Sequence, residues 1–519
     1  MRVLIFHGYL LRGTGSNVYN ANLAQALARL GHEVHLLCQD REAAALPWID
    51  AVGSWQGGGL AVRPTANPGT PGDGSITAYT PDIGGLLPVY VADRYEGFEA
   101  RTFSTLSDAE IEAYIAANVT AVTAVAARAG GIGAALANHL VMGPVILARS
   151  GLPFAAKVHG SALSYTVIPE PERFVPYARE GMAAARAVLV GSRHTAESLW
   201  QAVALDGLAE KTRLGPPGVD VEAFAPLPRE AAAGALGELA DAVELAPAAE
   251  LGRDPSSAAS ALRAYAGAPG PRVIFVGKLI VSKGCDLLLA AWPLVARAHP
   301  GARLLLVGFG EYRDGLLRLS EALSAGDLAA AREIATRGRA LEGGEVGELR
   351  FLRAFLDQPP PGYREACARA RGSVDIAGRL EYGEVARAVR TSDAMVVPST
   401  FPEAFGMVAA EAAATGALPV CARHSGLAEV ADTLAAALSA VPAAAMVAPL
   451  TAFDLDSGAV ATIAARLNAW LALDPLARAA ASAVLVDVAR SRWSWEGVAR
   501  AVLAAAAVDL DALDPVPPG

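Results

Sequence analysis

Short apolar runs recur along this chain, and most lead through a turn into a stretch with helical spacing. RVLIF (Arg2 to Phe6) leads through HGYLLRGTGSN into VYNANLAQALARLG, stopped at Gly31, and HEVHLLC (His32 to Cys38) is the next strand. Runs apolar on both faces are strands buried on both sides, and parallel neighbours need a crossover segment, which the helices supply. This alternation restricts the chain to doubly wound α/β architecture. It continues through LPVYV (Leu87 to Val91) and a helix from Ser107 to about Arg128, whose Asp108 and Glu110 suit the positive end of the helix dipole. PFAAKVHG, the helical EGMAAARA, AVLVGS (Ala187 to Ser192) and a helix around TAESLWQAV follow.

A second series opens at PRVIFVG and runs through DLLLAAWPLVARAH, ARLLLVGFG, SVDIAG, EVARAVRTS, AMVVPS, ALPVCA and LAEVAD. A chain of 519 residues exceeds what one core accommodates, so two domains are expected. The first spans 1–225 and is completed by about 490–519, where one closing helix carries the Trp pair of SRWSWEGVARAVLAAAAV. Residues 226–270, rich in Ala, Glu, Asp, Ser and Pro, read as a helical linker. The second domain spans 271–489, with a charged helical insert at about 314–372 broken at PPPG (Pro359 to Gly362). Pro47 to Gly85, rich in Gly, Pro and Thr, reads as an irregular surface excursion.

Composition removes several classes of function. With 53% hydrophobic and 18% charged residues the chain is not disordered, and a formal charge of −10 argues against non-specific nucleic-acid binding. Cys38, Cys285, Cys367 and Cys421 show no metal or disulfide spacing, so a reducing, cytoplasmic setting is expected, with peripheral membrane association compatible. MRVLIFHGYL suits a first strand better than a signal peptide. The longest uncharged run, Thr433 to Phe453, is mostly Ala and carries Pro442 and Pro449, a poor membrane span.

Chemistry concentrates in a few segments. In PSTFPEAFGMVAAEAAATGALP (Pro398 to Pro419) a strand end turns into a helix; Glu403 stands at the mouth and Glu411 two turns further in, with Phe405, Gly406, Met407 and Val408 between them. Glycine at such a turn lets amides approach an anion, which the helix N-terminus favours. The same residues suit an ordinary amphipathic helix with solvated glutamates. VGKLIVSKG places Lys278 and Lys283 around a turn between strand and helix, where two cations suit a diphosphate leaving group or are simply solvated. His159 follows a strand and precedes a glycine, and its ring is expected to project into an interdomain cleft; His139 is a weaker candidate. Gly13 and Gly15 form a G-x-G without the third glycine of a dinucleotide fingerprint, so a phosphate-approaching loop and a plain tight turn both fit. H-E-x-x-H, Walker and G-x-S-x-G patterns are absent, and Asp-x-Asp occurs only at Asp454 and Asp509, outside any strand-end context.

Together these segments resemble the retaining, nucleotide-sugar-dependent glycosyltransferases of family 4 (glycosyl transferases group 1). The matching stretches, in order, are the N-terminal glycine loop, VHGS, LVGSRHTAESL, PPGVDVEAF, VGKLIVSKG, LLVGFG, VDIAGRL and PSTFPEAFGMVAAEA, the last with the family's paired glutamates as Glu403 and Glu411. The resemblance implies a GT-B fold, with two Rossmann-like domains facing across a cleft and a C-terminal helix crossing back to the first. It implies that Glu411 holds the nucleotide ribose, Glu403 contacts the donor sugar, and the amides of Phe405, Gly406, Met407 and Val408 bind sugar and diphosphate. Lys278 and Lys283 would neutralise the diphosphate, with Lys278 standing where the family usually has Arg. Arg379 and Leu380 would lie by the base, His159 by the donor sugar, and Gly13 and Gly15 by the diphosphate and acceptor. The donor would be a nucleotide-diphosphate sugar, UDP first and GDP second, and the acceptor a hydroxyl of a small molecule, glycan or lipid-linked substrate. No metal cofactor is expected, and a homo-oligomer is compatible. A GT-B epimerase, a phosphorylase and a non-catalytic nucleotide-sugar scaffold are the alternatives.

Overall fold

The computed structural model describes residues 1–13, 15–56, 58–66, 74–90, 98–246 and 253–518; of Gln56 only the backbone is described. The chain forms two units, Met1–Gly218 with Ser494–Gly519, and Val219–Trp493. Val91 of the expected strand LPVYV, Thr14 of the glycine loop and part of the expected excursion lie outside the described residues.

Unit 1 contains β1 (Arg2–Phe6), β2 (Glu33–Leu37), β3 (Ala51–Gln56), β4 (Gly59–Pro64), β5 (Ser75–Thr80), β6 (Leu86–Val89), β7 (Glu99–Thr102), β8 (Ala134–Asn138), β9 (Ala155–Val158), β10 (Ala187–Val190) and β11 (Thr212–Leu214). Nine of these form one sheet in the order β11-β10-β9-β8-β1-β2-β5-β3-β4, parallel except for the β3–β4 hairpin; β6 and β7 pair separately. The described residues of the segment read as an irregular excursion are therefore largely strand. Its β5 pairs with β2 in register from Glu33–Ser75 to Leu37–Tyr79 and buries Ile76, Ala78 and Tyr79, so pairing with a formed sheet outweighs the Gly- and Thr-rich composition. Strand β8 carries no such signal in AALAN. Its five residues are all buried between β1 and β9, and tertiary context makes this alanine-rich run a strand.

Unit 2 contains β12 (Arg272–Val276), β13 (Arg303–Val307), β14 (Val374–Gly378), β15 (Ala394–Val397), β16 (Leu418–Ala422) and β17 (Ala452–Phe453). They form a wholly parallel sheet in the order β14-β13-β12-β15-β16-β17. Counted within the unit this is 3-2-1-4-5-6, so the winding reverses between β12 and β15 and leaves a crevice at their carboxyl ends. Four helices, Arg313–Ser324, Leu328–Arg337, Arg350–Asp357 and Tyr363–Arg369, fill the connection between β13 and β14.

Two expectations about organisation are corrected. The helices Ala232–Glu244 and Pro255–Ala266, read as a linker, belong to unit 2: Leu236, Leu239, Val243, Leu262 and Tyr265 are fully buried in its core. Their apolar stripes require a partner surface, which a free linker would lack. The Trp pair does not lie on one closing helix. Pro475–Arg492 ends before Trp493, and Ser494 caps a new helix, Trp495–Ala507, by accepting from the Gly497 N–H at 3.3 Å. Trp493 packs in the unit 2 core against Phe405 and Trp495 in the unit 1 core against Tyr19, so the break coincides with the return to unit 1. All four cysteines are buried and unpaired. Among the described residues no single helix is long and apolar enough to cross a membrane; Ala459–Leu471 and Pro475–Arg492 pass by length and composition only as a pair bent by 111°.

Candidate functional site

The crevice of unit 2 is built by the loops after β12 and β15, and they touch backbone to backbone. Gly284 adopts φ +64°, and a Cβ there would sit 2.0 Å from Pro398 O; the Thr400 N–H donates to Ser282 O at 2.8 Å. Only glycine satisfies both the left-handed backbone and this approach. Lys283, one residue earlier, therefore meets the β15 loop and forms an ion pair with Glu403, both partly buried. Lys278 lies further back on the same loop, exposed and without an ion pair among the described residues.

Glu403 is oriented on several sides. Its Oε1 accepts from the Ser399 hydroxyl at 2.7 Å, and its N–H donates to Ser425 Oγ at 2.8 Å. His424 closes the frame, with Nε2–H donating to Ser399 O at 2.6 Å and Nδ1 accepting from the Ser425 hydroxyl at 3.0 Å. Ser399, His424 and Ser425 lack a recognisable spacing in the sequence; only their position after β15 and β16 could have suggested them.

Beyond Glu403, Gly406 has φ +119°, and a Cβ would lie 2.6 Å from Leu427 Cδ2. The helix Met407–Thr415 starts here with no capping side chain, leaving the amides of its first turn, Met407 and Val408 among them, available to an anion. Phe405 is buried, while Gly406, Met407 and Val408 are half-buried. Glu411, expected on the ligand-facing side of this helix, is only 4% exposed. Burial raises its carboxyl to about 7, the Tyr382 hydroxyl opposing that shift. Among the described residues no ion pair neutralises its charged form. Arg379 and Leu380 follow β14: Arg379 pairs with Glu381 at 3.3 Å and lies over the Phe309 ring at 5.6 Å, and Leu380 is buried.

The remaining expected residues, Gly13, Gly15 and His159, belong to unit 1. Gly13 is exposed with φ +94°, and Gly15 begins the helix Gly15–Arg29. His159 stands after β9, half-buried, with its ring 4.9 Å from that of Tyr19 and 5.0 Å from that of His139. Its Nε2 bonds Asn138 Oδ1 at 2.7 Å. Burial, with His139, Lys157 and His7 adding to it, holds its pKa well below the ordinary value and keeps the ring neutral. His139 is buried with φ 68°, and both its ring nitrogens lack partners among the described residues.

Unit 2 thus brings together a cation, a braced carboxylate, an open helix N-terminus and a buried second acid at one topological switch point. Such a set can hold a polyhydroxylated anion: amides and lysine take the phosphate charge, and carboxylates accept from hydroxyl groups. Among the described residues no cluster of three or more His, Cys, Asp or Glu has metal-binding geometry.

Comparisons with known proteins agree with this architecture. The family model of glycosyl transferases group 1 matches residues 367–480. The D-inositol 3-phosphate glycosyltransferase of Segniliparus rotundus is 28% identical over 374 residues, covering 70% of this chain and 62% of that protein. A GDP-mannose-dependent alpha-(1-6)-phosphatidylinositol monomannoside mannosyltransferase of Mycolicibacterium smegmatis is 31% identical over 205 residues, 39% of this chain and 44% of that one. Across the D-inositol 3-phosphate glycosyltransferases it matches, the chain spans 48% to 62% of their length. Among solved structures, Anabaena HepE in complex with UDP and glucose superposes with TM-score 0.53 at 16% identity, covering 99% of this chain and 100% of that one. The catalytic domain of starch synthase IV from Arabidopsis thaliana, bound to ADP and acarbose, gives 0.55 at 12% identity, covering 98% and 99%. The solved structures share the GT-B fold seen in the sheet topology, and the matched segment and these relatives make the chain similar to glycosyl transferases group 1.

Proposed function

We propose that this protein transfers a sugar from a nucleotide-diphosphate donor to a hydroxyl acceptor, with retention at the anomeric carbon. The observation that carries the reading is the meeting of Lys283, Glu403 and the uncapped helix at Gly406 where the unit 2 sheet reverses its winding. Ribose hydroxyls would donate to Glu411, adding hydrogen-bond donors to its buried charge. Glu403 would accept from donor-sugar hydroxyls, and the amides from Phe405 to Val408 would meet sugar and diphosphate. Arg379 and Leu380 would flank the base. In unit 1, His159 would serve the transferred sugar, and Gly13 and Gly15 the diphosphate and acceptor.

In the step itself the acceptor oxygen bonds to the anomeric carbon as the bond from that carbon to the diphosphate oxygen breaks. Both events occur on one face, and the departing phosphate oxygen takes the acceptor's proton. Lys278 and Lys283 would balance the charge that accumulates on that oxygen, without a metal cofactor. Lys283 must share itself between Glu403 and the diphosphate, so donor binding would loosen an existing ion pair. UDP is the first expected nucleotide, since HepE was solved with UDP and glucose, and GDP the second, from the name of the mannosyltransferase relative.

A thermal-shift series with UDP, GDP and ADP tests the donor site. A true ligand at a hundred times its Kd stabilises by about 2.7 kcal/mol, and Lys283→Ala should abolish most of the response. No stabilisation by any of the three, or an equal response in Lys283→Ala, would refute the assignment. Product analysis with the stabilising nucleotide's sugars then separates transfer from epimerisation, phosphorolysis and binding alone.

A further inference from the structure

At the switch point of the unit 1 sheet, beyond the carboxyl ends of the neighbouring strands β1 and β8, five side chains form one uninterrupted hydrogen-bonded file. His159 Nε2 contacts Asn138 Oδ1 at 2.7 Å, and Asn138 Nδ2 contacts Asn20 Oδ1 at 2.8 Å. Asn20 Nδ2 contacts His7 Nδ1 at 3.0 Å, and His7 Nε2 contacts Asn17 Oδ1 at 2.9 Å. His7, Asn17, Asn20 and Asn138 are each at most 2% exposed.

Backbone carbonyls decide which way this file runs, because a carbonyl only accepts. Asn17 Nδ2 is pinned to Arg12 O at 2.7 Å, so its Oδ1 faces His7. His7 Nε2 also meets Leu10 O at 2.9 Å and must therefore carry the proton, leaving Nδ1 as an acceptor. Asn20 Nδ2 is held by Ser16 O at 2.9 Å and Asn138 Nδ2 by Phe6 O at 3.2 Å, so each amide turns its oxygen toward the next donor. Reversing any amide would set two acceptors against each other in a buried site. The file ends at Asn138 Oδ1, which only a protonated His159 Nε2 can satisfy. Among the described residues the Nε2 bond to Asn138 is the side-chain hydrogen bond His159 makes, and its Nδ1 makes none.

We propose that Asn138, Asn20 and His7 are positioning residues that lock His159 as the neutral Nε2–H tautomer, so that its Nδ1 lone pair accepts a hydrogen bond from a substrate sugar hydroxyl. The proposal rests on the reading of His159 as serving the transferred sugar. The neighbours that face the imidazole, His139, Lys157 and His7, all oppose a second proton on it, and no carboxylate is among them. The file therefore selects the tautomer, and the surroundings preserve neutrality.

The test is 15N-histidine NMR on the full chain, with the His159→Gln spectrum identifying the signals, alongside steady-state kinetics. In the parent, His159 should carry its proton on Nε2 at neutral pH. Asn138→Ala should mix the tautomers and lower kcat roughly tenfold with KM little changed, the worth of about one buried hydrogen bond. Asn17→Ala should change neither readout, because Leu10 O still holds the His7 proton. Should Asn138→Ala fail to fold, the size-conserving Asn138→Asp is expected to draw His159 to the imidazolium, lowering turnover at neutral pH and restoring it as pH rises. An Nδ1–H or doubly protonated His159 in the parent overturns the proposal, as does an Asn138 variant that keeps both the parent tautomer and the parent kcat. If no nucleotide sugar is turned over, the spectra still decide the tautomer, so the two readings fail separately.

Discussion

Glu411→Gln isolates the energetic cost of the buried acid in the candidate site of unit 2. Burial raises the Glu411 carboxyl from 4.5 to about 7, with no cation beside it among the described residues. At ~1.4 kcal/mol per pH unit, that shift corresponds to roughly 3 kcal/mol against the ionised folded state. Below pH 4.5 both the folded and unfolded chains hold the proton, and the group is neutral in its effect. Between 4.5 and 7 the folded chain holds a proton that the unfolded chain has released, so stability falls as pH rises; above 7 the full cost is expressed. Glutamine cannot ionise and escapes this cost. Chemical denaturation of the parent and Glu411→Gln from pH 4 to 8 should give curves that coincide near pH 4 and diverge to about 3 kcal/mol by pH 8, the variant being more stable. Asp286, also buried and raised to about 7, contributes a similar slope to both proteins and cancels in the difference. A constant difference across the range would refute the reasoning. The ligand side runs oppositely: if ribose hydroxyls donate to the Glu411 anion, nucleotide affinity should weaken by up to about tenfold per pH unit below 7 and be lost in Glu411→Gln.

Lys283→Ala should lower turnover by about 10²–10³-fold, as for other removed transition-state charge contacts, while the partly exposed ion pair with Glu403 costs at most about 1 kcal/mol; unchanged transfer rates would sink the diphosphate role. Gly406→Ala combines φ +119° with a 2.6 Å approach to Leu427 Cδ2 and should cost about 1–3 kcal/mol in denaturation as well as donor binding; a neutral effect would mean the turn relaxes freely. Ser494→Ala removes the cap that restarts the chain in unit 1, and calorimetry should show a loss of about 1 kcal/mol with no change in nucleotide affinity.

Much of this protein was legible without coordinates where local and global preferences agree. RVIFV, RLLLV and AMVV are short, apolar and followed by turns, and all became parallel strands. Glu403, Gly406 and Glu411 share one strand–turn–helix segment, so their common neighbourhood followed from chain connectivity alone. Where signals were weak, packing decided. AALAN has no strand propensity of its own and is extended because β1 and β9 flank it; SITAYT reads as loop until β2 offers it an edge. The helices at 232–244 and 255–266 follow a linker-like composition, yet their buried leucines and Tyr265 commit them to the unit 2 core.

The sequence alone determined the doubly wound class, the pairing of two αβ series and the segment that carries the acids, because periodicity and turn chemistry are local properties. Tertiary structure decided which loops meet. Lys283 and Glu403 are 120 positions apart, and only the 3-2-1-4-5-6 winding sets β12 beside β15 and closes that ion pair. It likewise decided the protonation chemistry: the burial that raises Glu411, and the backbone carbonyls that orient the file from Asn17 to His159, are properties of packed neighbours that no spacing along the chain encodes.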